Sequence, residues 1–448
     1  MASRRNSLES LFGRVISPFE RFLAGTTSGG IVLIVATIAA LVLATSLGGD
    51  TIHHVWERDL SLASGGRFRL ELSLHHWVND GLMTLFFLLV GLELKHEVLV
   101  GELSSARDAA LPVIAALGGM VVPAVIYAAL NAGTPTAAGW GIPMATDIAF
   151  AVGIMVLLGD RVPRNLIVFL TALAIADDLG AVLVIAIFYT AELDISALRA
   201  CGALFVLLVI FNRGGVKHPL PYALVGALLW YYMLASGVHA TLAGILLAIT
   251  IPARAAHTPK EFEERLKQLH DELHADRADL STPDDPLRND KMAGIAIATE
   301  SAAATVQSPL LRMEHALGPW VTFGVIPVFA LANAGIDLSA IQWGDVRSSS
   351  LAIGIIAGLV IGKFIGIAFF SWIAVKVGVG KLPTGVTWPH VLGASCLAGI
   401  GFTMSLFIAQ LAFVQPELIE QAKLGILVAS VVAGMIGYAW LRWGTPKP

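Results

Sequence analysis

The chain has 448 residues, of which 56% are hydrophobic and only 14% charged, with a formal net charge of −4. Soluble domains carry about 25% charged residues, so composition excludes an ordinary globular protein, and the succession of long apolar runs describes an all-α polytopic membrane protein. No basic cluster points to nucleic acid, and the two cysteines, Cys201 and Cys396, lie inside apolar runs and read as packing residues, implying no disulfide, metal site or cofactor.

Residues 1–25 mix Arg4, Arg5, Glu9, Arg14, Glu20 and Arg21 with scattered apolar residues and lack the apolar core of a signal peptide. Within them, 8–22 reads either as a short amphipathic helix on the inner membrane surface or as a disordered tail. Twelve candidate spans follow, at approximately 29–47, 82–100, 109–130, 139–158, 166–189, 195–211, 220–234, 238–251, 321–336, 351–375, 391–413 and 424–441. A helix needs about 20 apolar residues to cross the hydrocarbon, so the short eighth run is tilted, broken or buried by neighbours. Spans 1–8 thus occupy 26–252 and spans 9–12 occupy 319–443.

Lysines and arginines set the orientation. Lys95 and Arg107, Arg161 and Arg164, Arg213 and Lys217, and Lys376 and Lys381 fall on alternate loops, with Arg4, Arg5, Arg442 and Lys447 on the same side. The loops around Asn131, Glu192, Ser236 and Gln415 are nearly free of Lys and Arg, which places both termini in the cytoplasm. On the outer side, Ser64-Gly65-Gly66 precedes a period-two alternation from Arg67 to Leu74 that predicts a β-hairpin. Its apolar face is covered either by a second subunit or by its own protomer. The polar segment 253–318 is a cytoplasmic insertion, read as solvated or as regulatory. In it Phe262, Leu266, Leu269 and Leu273 share one helical face, and Ser281-Thr282-Pro283-Asp284-Asp285-Pro286 ends that helix, predicting a surface helix and then a disordered stretch.

Two adjacent carboxylates, Asp177 and Asp178, stand in the middle of the run 166–189. An ionisable group at that depth costs at least ~2.5–3.5 kcal/mol on insertion scales, so the pair is either compensated by partners or used for transport. The fourth span places the helix breakers Gly139, Gly141 and Pro143 beside Thr146 and a third carboxylate, Asp147, and the eleventh places Gly393, Gly399 and Gly401 around Thr403 and Ser405. Interruptions at corresponding places in two halves point to a transporter's midplane site. Close helix packing alone would account for Gly399 and Gly401, but not for Thr146 and Asp147.

A broken helix exposes N–H groups at one half-helix end and C=O groups at the other. Asp147 suits the positive ends. Lys363, the only basic residue within the tenth span, serves the negative ends, pairs with a carboxylate or snorkels to an interface; twelve residues of span on each side weigh against snorkelling. Adjacent helical residues point about 100° apart. The economical division therefore puts Asp178 on a cation and shares Asp177 between the site and Lys363. Burial favours the neutral acid and a nearby cation favours the carboxylate, so cation and proton expel one another. That competition describes exchange of a hard monovalent cation for protons.

Several stretches resemble motifs of the NhaA-type Na+/H+ antiporters of bacterial inner membranes, a family among those from which the broken-helix rule is drawn. They are Phe87-Leu88-Leu89-Val90-Gly91-Leu92-Glu93-Leu94-Lys95, Ala145-Thr146-Asp147-Ile148-Ala149-Phe150, Ala174-Ile175-Ala176-Asp177-Asp178-Leu179-Gly180, Ser236-Gly237-Val238-His239-Ala240-Thr241-Leu242-Ala243-Gly244 and Gly399-Ile400-Gly401-Phe402-Thr403-Met404-Ser405. The resemblance, running from about Gly29 to Trp443, implies twelve transmembrane helices in inverted repeats with interrupted fourth and eleventh helices. It implies electrogenic exchange of Na+ or Li+ for H+ across the inner membrane, activated at alkaline pH, in Na+ and pH homeostasis. Asp177 and Asp178 would hold the Na+ or the protons with help from Thr146, while Asp147 compensates helix ends and Lys363 pairs with Asp177. Asp80 matches an acidic position near the start of the second helix. The hairpin at about 60–74 would join two protomers, making membrane lipid and a second copy the partners besides the ions.

A pH-response group is implied at Glu93, His96, Glu97, Glu314 and His315, with His239, which by itself reads as a hydrogen-bonded core histidine. Here the chain departs from the family pattern: His96 replaces an expected Arg, Gly318 a His, and Phe364 the Pro that follows the lysine. The departures bear on the midpoint and steepness of the pH response and leave the ion site intact. An intramembrane aspartyl protease would need a Gly-x-Gly-Asp motif, absent here, and has no use for Lys363. A channel does not call for broken helices in both halves, and a sugar or amino-acid symporter needs a roomier polar site. The chain is therefore expected to be a secondary transporter, not an enzyme.

Overall fold

The computed structural model describes residues 28–64, 68–190, 193–255, 258–278, 289–337, 339 and 349–445. The N-terminal segment 1–25, residues 65–67, Glu192, the break expected at 281–286 and Lys447 lie outside the described residues.

Among the described residues, seven helices are long and apolar enough to cross a membrane. In chain order the elements are α1 (Ser28–Leu47), α2 (Gly49–Trp56), β1 (Asp59–Ser64), β2 (Phe68–Ser73), α3 (Met83–Leu99), α4 (Ala106–Asn131), α5 (Ile148–Leu157), α6 (Arg164–Phe188), α7 (Ile195–Arg213) and α8 (Pro219–Ala235). There follow α9 (Leu242–Thr250), α10 (Pro259–Ala278), α11 (Asp290–Val306), α12 (Pro309–Asn333), α13 (Ser350–Val377), α14 (Trp388–Leu397), α15 (Phe402–Ala412) and α16 (Pro416–Trp443). Two bent pairs, the 3-10 segment Pro135–Met144 with α5 and α14 with α15, bring the candidate spans to nine. The other three expected spans fall on α3, α8 and α9, which are helices but shorter, at 17, 17 and 9 residues, and α3 also carries Glu93, Lys95 and Glu97.

The helix starts follow local chemistry. Asp194 caps α7 by accepting the Ser196 hydroxyl and the Ser196 and Ala197 N–H groups, and these bonds, the hydroxyl's first, hold its carboxyl below the ordinary carboxylate value. Its contribution is complete above the unfolded value and is lost as pH falls through the folded one. Wide π turns interrupt the helical path at Trp77–Leu82, Val321–Val325 and Ala357–Gly362, the last ending immediately before Lys363. Such turns collect at functional positions.

β1 and β2 pair antiparallel, with Leu60 opposite Leu72 and Asp59 opposite Ser73. The predicted alternation is thus the second strand only, and its partner lies before the glycines. The insertion also differs from the expectation. After α10, whose Leu269 is buried, a second helix, α11, packs back on it, started by Asn289 accepting the Met292 N–H and sustained by alanines.

Two apolar clusters organise the interior. The larger joins α1, α4–α6 and α12–α16 around both helix breaks, with Met83 and Phe87 of α3 and Ile245 of α9. The smaller, centred on Leu92, Leu208, Tyr222, Leu229 and Leu247, joins α3, α7, α8 and α9. The tightest approach is α4 against α13, where small residues let the two backbones touch. A Cβ on Gly362 would lie 2.8 Å from Pro123 Cα, and one on Gly366 would overlap the Gly118 carbonyl. Gly366→Ala is therefore expected to destabilise the folded protein by about 1–3 kcal/mol, the usual cost of overpacking, read as a lower midpoint of thermal unfolding in detergent. An unchanged midpoint would refute the close approach.

Candidate ion-exchange site

The two breaks cross. In the first chain segment the 3-10 turns end at Met144, residues 145–147 run extended, and α5 leaves at an angle of 41°. In the second, α14 ends at Leu397, residues 398–401 are non-helical, and α15 leaves at 45°. Where they meet, the Asp147 N–H donates to the Ile400 carbonyl (2.6 Å), and the Ser405 hydroxyl donates to the Ile142 carbonyl (2.8 Å). Gly401 is required there, because a Cβ would lie 2.9 Å from Leu359 Cδ2 and 3.1 Å from the Ala145 carbonyl oxygen.

One carboxylate closes both positive ends. Asp147 Oδ1 accepts the Phe150 N–H (3.1 Å) at the start of α5, while Oδ2 accepts the Thr403 N–H (3.0 Å) and the Thr403 hydroxyl (2.6 Å) at the start of α15. The residue is 2% exposed. Two helix dipoles directed at one acid compensate a charge that burial alone would make costly. Asp147 thus belongs to the scaffold of the crossing.

Asp177, Asp178 and Lys363 are each 0% exposed. The Lys363 ammonium is ion-paired with Asp177 Oδ2 and also donates to Thr146 Oγ1 at 2.9 Å. The Thr146 hydroxyl lies 2.9 Å from both Asp177 Oδ2 and the Ala398 carbonyl, and its single proton is shared between them. Thr146 therefore connects the first break, the second break, α6 and α13. Room for the lysine comes from Gly119 on α4, where a Cβ would lie 3.7 Å from Lys363 Cδ and only 2.9 Å from Ile367 Cγ1.

Asp178 is different. Neither of its carboxylate oxygens, nor Oδ1 of Asp177, has a hydrogen-bond partner among the described residues, although all three are buried. Both Asp178 oxygens and one oxygen of Asp177, hard anionic donors when ionised, thus lack a protein donor, while the other Asp177 oxygen is held by Lys363 and Thr146. No cluster of three or more His, Cys, Asp or Glu suited to a resident metal occurs among the described residues.

The remaining predicted residues lie elsewhere. His96 Nδ1 on α3 meets Glu314 Oε2 on α12 at 3.2 Å, and Glu97 accepts the Glu102 N–H, while Glu93 shares α3 and His315 shares α12. His239 Nε2 bonds the Tyr189 carbonyl at 2.6 Å, and the Tyr189 hydroxyl in turn holds Gly141 N–H (3.2 Å) and the Ala138 carbonyl (2.7 Å). Asp80 sits in the first π turn, its backbone carbonyl accepting from Trp230 Nε1 at 2.9 Å. Pro143 packs on the α4–α13 crossing beside Gly358. Sequence reasoning did not single out Thr403, Tyr189 or the Ala398 and Ile400 carbonyls as partners. Thr403 and both carbonyls lie in or beside a quoted motif, but only the crossing shows what they meet.

A family model described as Na+/H+ antiporter 1 matches residues 20–441. The chain belongs to this antiporter family. The Na(+)/H(+) antiporter NhaA of Syntrophobacter fumaroxidans is 58% identical over 438 residues, covering 98% of this chain and 93% of that protein. That of Acidithiobacillus ferrooxidans is 57% identical over 427 residues, covering 95% and 97%. The Na(+)/H(+) antiporter NhaA 1 of Saccharophagus degradans is 49% identical over 435 residues, covering 97% and 93%. With its set of apolar helices, membership makes the chain a multi-pass membrane protein of an antiporter family, a transporter rather than an enzyme.

Loss of an N-cap costs about 0.5–2 kcal/mol per helix. Because Asp147 caps two, Asp147→Ala is expected to lower stability by about twice what Asp194→Ala costs at the singly capped α7, compared by thermal unfolding of the two variants. Equal losses would show that Asp147 closes only one end.

Proposed function

We propose that the chain exchanges Na+ or Li+ for H+ electrogenically by alternating access, with Asp178 and Asp177 as the shared cation and proton site. The observation that carries this reading is the bare, buried Asp178 carboxylate beside the Lys363–Asp177–Thr146 cluster. Asp178 contributes both oxygens and Asp177 its Oδ1 to a Na+ ion, which prefers such hard oxygen donors. Lys363 and Na+ compete for the Asp177 carboxylate, and a proton on either acid removes the charge that holds the cation. Loading from one side with Na+ and from the other with H+ then requires only that the crossing expose the pair alternately. Two titrating acids per single cation would make the cycle electrogenic.

The architecture that fits this cycle has twelve helices in inverted repeats, with α3, α8 and α9 completing the nine longer spans, and with both termini cytoplasmic in a bacterial inner membrane. A second copy extending the β1–β2 sheet at a strand edge would form the homodimer. Activation at alkaline pH would act through the His96–Glu314 contact that ties α3 to α12, with Glu93, Glu97 and His315 close along those helices and His239 at the outer end of α6.

The test uses everted vesicles holding a respiration-driven pH gradient, challenged with NaCl, LiCl, KCl or choline chloride between about pH 6.5 and 9. Collapse of the gradient by Na+ and Li+, growing with pH and lost in a stably folded Asp178→Asn variant, is the expected result. Normal exchange in that variant would overturn the site assignment. Lys363→Ala should impair exchange or stability; wild-type behaviour in both would refute its pairing with Asp177.

A further inference from the structure

Away from the ion site, faces of α1, α5 and α16, with the start of α15, enclose a groove of about 490 Å³ on the flank of the bundle. α1 contributes Ile34 and Ile38, α5 Ile154 and Leu157, and α16 Val431 and Met435, at helical spacings of three or four. Among the described residues, no charged side chain lines it. Its rim residues are open, with Ile38 55%, Leu157 59% and Met435 61% exposed, and α1 and α16 are both long and apolar enough to span a bilayer. The groove therefore opens sideways on hydrocarbon, where the molecules at hand are lipid chains.

Two further observations point to an amphiphile. Ser430, which lines the groove from α16, is 8% exposed, and its hydroxyl has no hydrogen-bond partner among the described residues. At the other end of the same face stands Tyr438, a residue type that settles where apolar and polar layers meet. Arg442 lies one turn beyond Tyr438, and the Arg161 guanidinium donates to the Arg442 backbone carbonyl. Arg161 thus follows the groove residue Leu157 by four positions, as Arg442 follows Tyr438, with Asp160, exposed in the turn before Arg161, as the carboxylate adjacent in sequence.

We propose that this groove is a binding site for one acyl chain of an anionic phospholipid whose phosphate rests against Arg161 and Arg442. Its apolar lining suits the chain, and the fork of each guanidinium suits the phosphate oxygens. The site touches the transport machinery without belonging to it. Phe150 and Phe402, whose rings meet edge to face at 5.3 Å, both line the groove. They occupy the first turns of α5 and α15, the two half-helices that Asp147 caps. A bound chain therefore packs against the start of both half-helices.

The experiment places the full chain in phosphatidylcholine vesicles doped with phosphatidylglycerol that carries a photoactivatable diazirine in one acyl chain, and maps the cross-links by peptide mass spectrometry. Labelling is expected to concentrate on α5 and on the 427–438 face of α16, several-fold above the exposed α7 face that carries Val206 and Ile210. Gly434→Leu, whose Cβ would meet Ile154 Cδ1 at 3.4 Å and Ile400 Cδ1 at 3.6 Å, fills the groove at ordinary contact distance and should remove that excess. Val431→Phe fills it from the rim and should do the same. The double variant Arg161→Gln with Arg442→Gln should reduce labelling to that of the matching phosphatidylcholine probe. Uniform labelling of the wild-type lipid face, or labelling unchanged in both filling variants, overturns the site. Equal wild-type labelling by the two lipid probes overturns its anionic headgroup.

Discussion

A carboxylate placed where water does not reach must be met by a donor, a dipole, a proton or a cation, and this structure meets its three central acids in three ways. Asp147 is met by two helix N-termini, Asp177 by an ammonium and a hydroxyl, and Asp178 by no protein donor among the described residues. The first arrangement is fixed, because the dipoles belong to the backbone. The second is exchangeable, because an ammonium can yield to another cation. The third leaves the charge open to a proton or an ion.

Those three environments require the crossing of the broken segments, and the crossing requires close backbone approach. Gly401 admits Leu359 and the Ala145 carbonyl, Gly362 admits Pro123, and Gly119 leaves space beside the Lys363 stem. Thr146 shows how compact the result is, since one hydroxyl touches Lys363, Asp177 and the carbonyl end of the opposite broken segment. A side chain of that size could not serve three elements if any pair of them stood an ångström further apart. Packing and ion chemistry are therefore one problem here, solved by small residues.

The two apolar clusters give this centre a surrounding frame. One holds the breaks and the acids; the other holds α3, α7, α8 and α9. Links between them include the apolar packing of Phe87 on α3 against Phe407 on α15 and the His239 contact to the Tyr189 carbonyl at the end of α6. A hydrogen bond of this kind costs little to break and reform when it is exchanged for another. A packed apolar interface changes only in discrete steps.

The sequence alone determined the membrane character, the helical nature of the spans, the identities of the central acids and lysine, and the two places where helices break. Those are properties of composition, of run length and of residues such as Pro143 and Gly399, which act locally. Periodicity found β2 but not β1, whose short alternation ends in the residues before the turn, and it missed α11, whose alanines carry no amphipathic stripe. Only the tertiary structure decided that Asp147 serves both half-helices, that Thr403 is its second partner, and that Lys363 meets Asp177 and leaves Asp178 bare. Each of these depends on residues more than a hundred positions apart, and the side chain that a carboxylate meets is set by which backbones can touch, a quantity no local pattern contains.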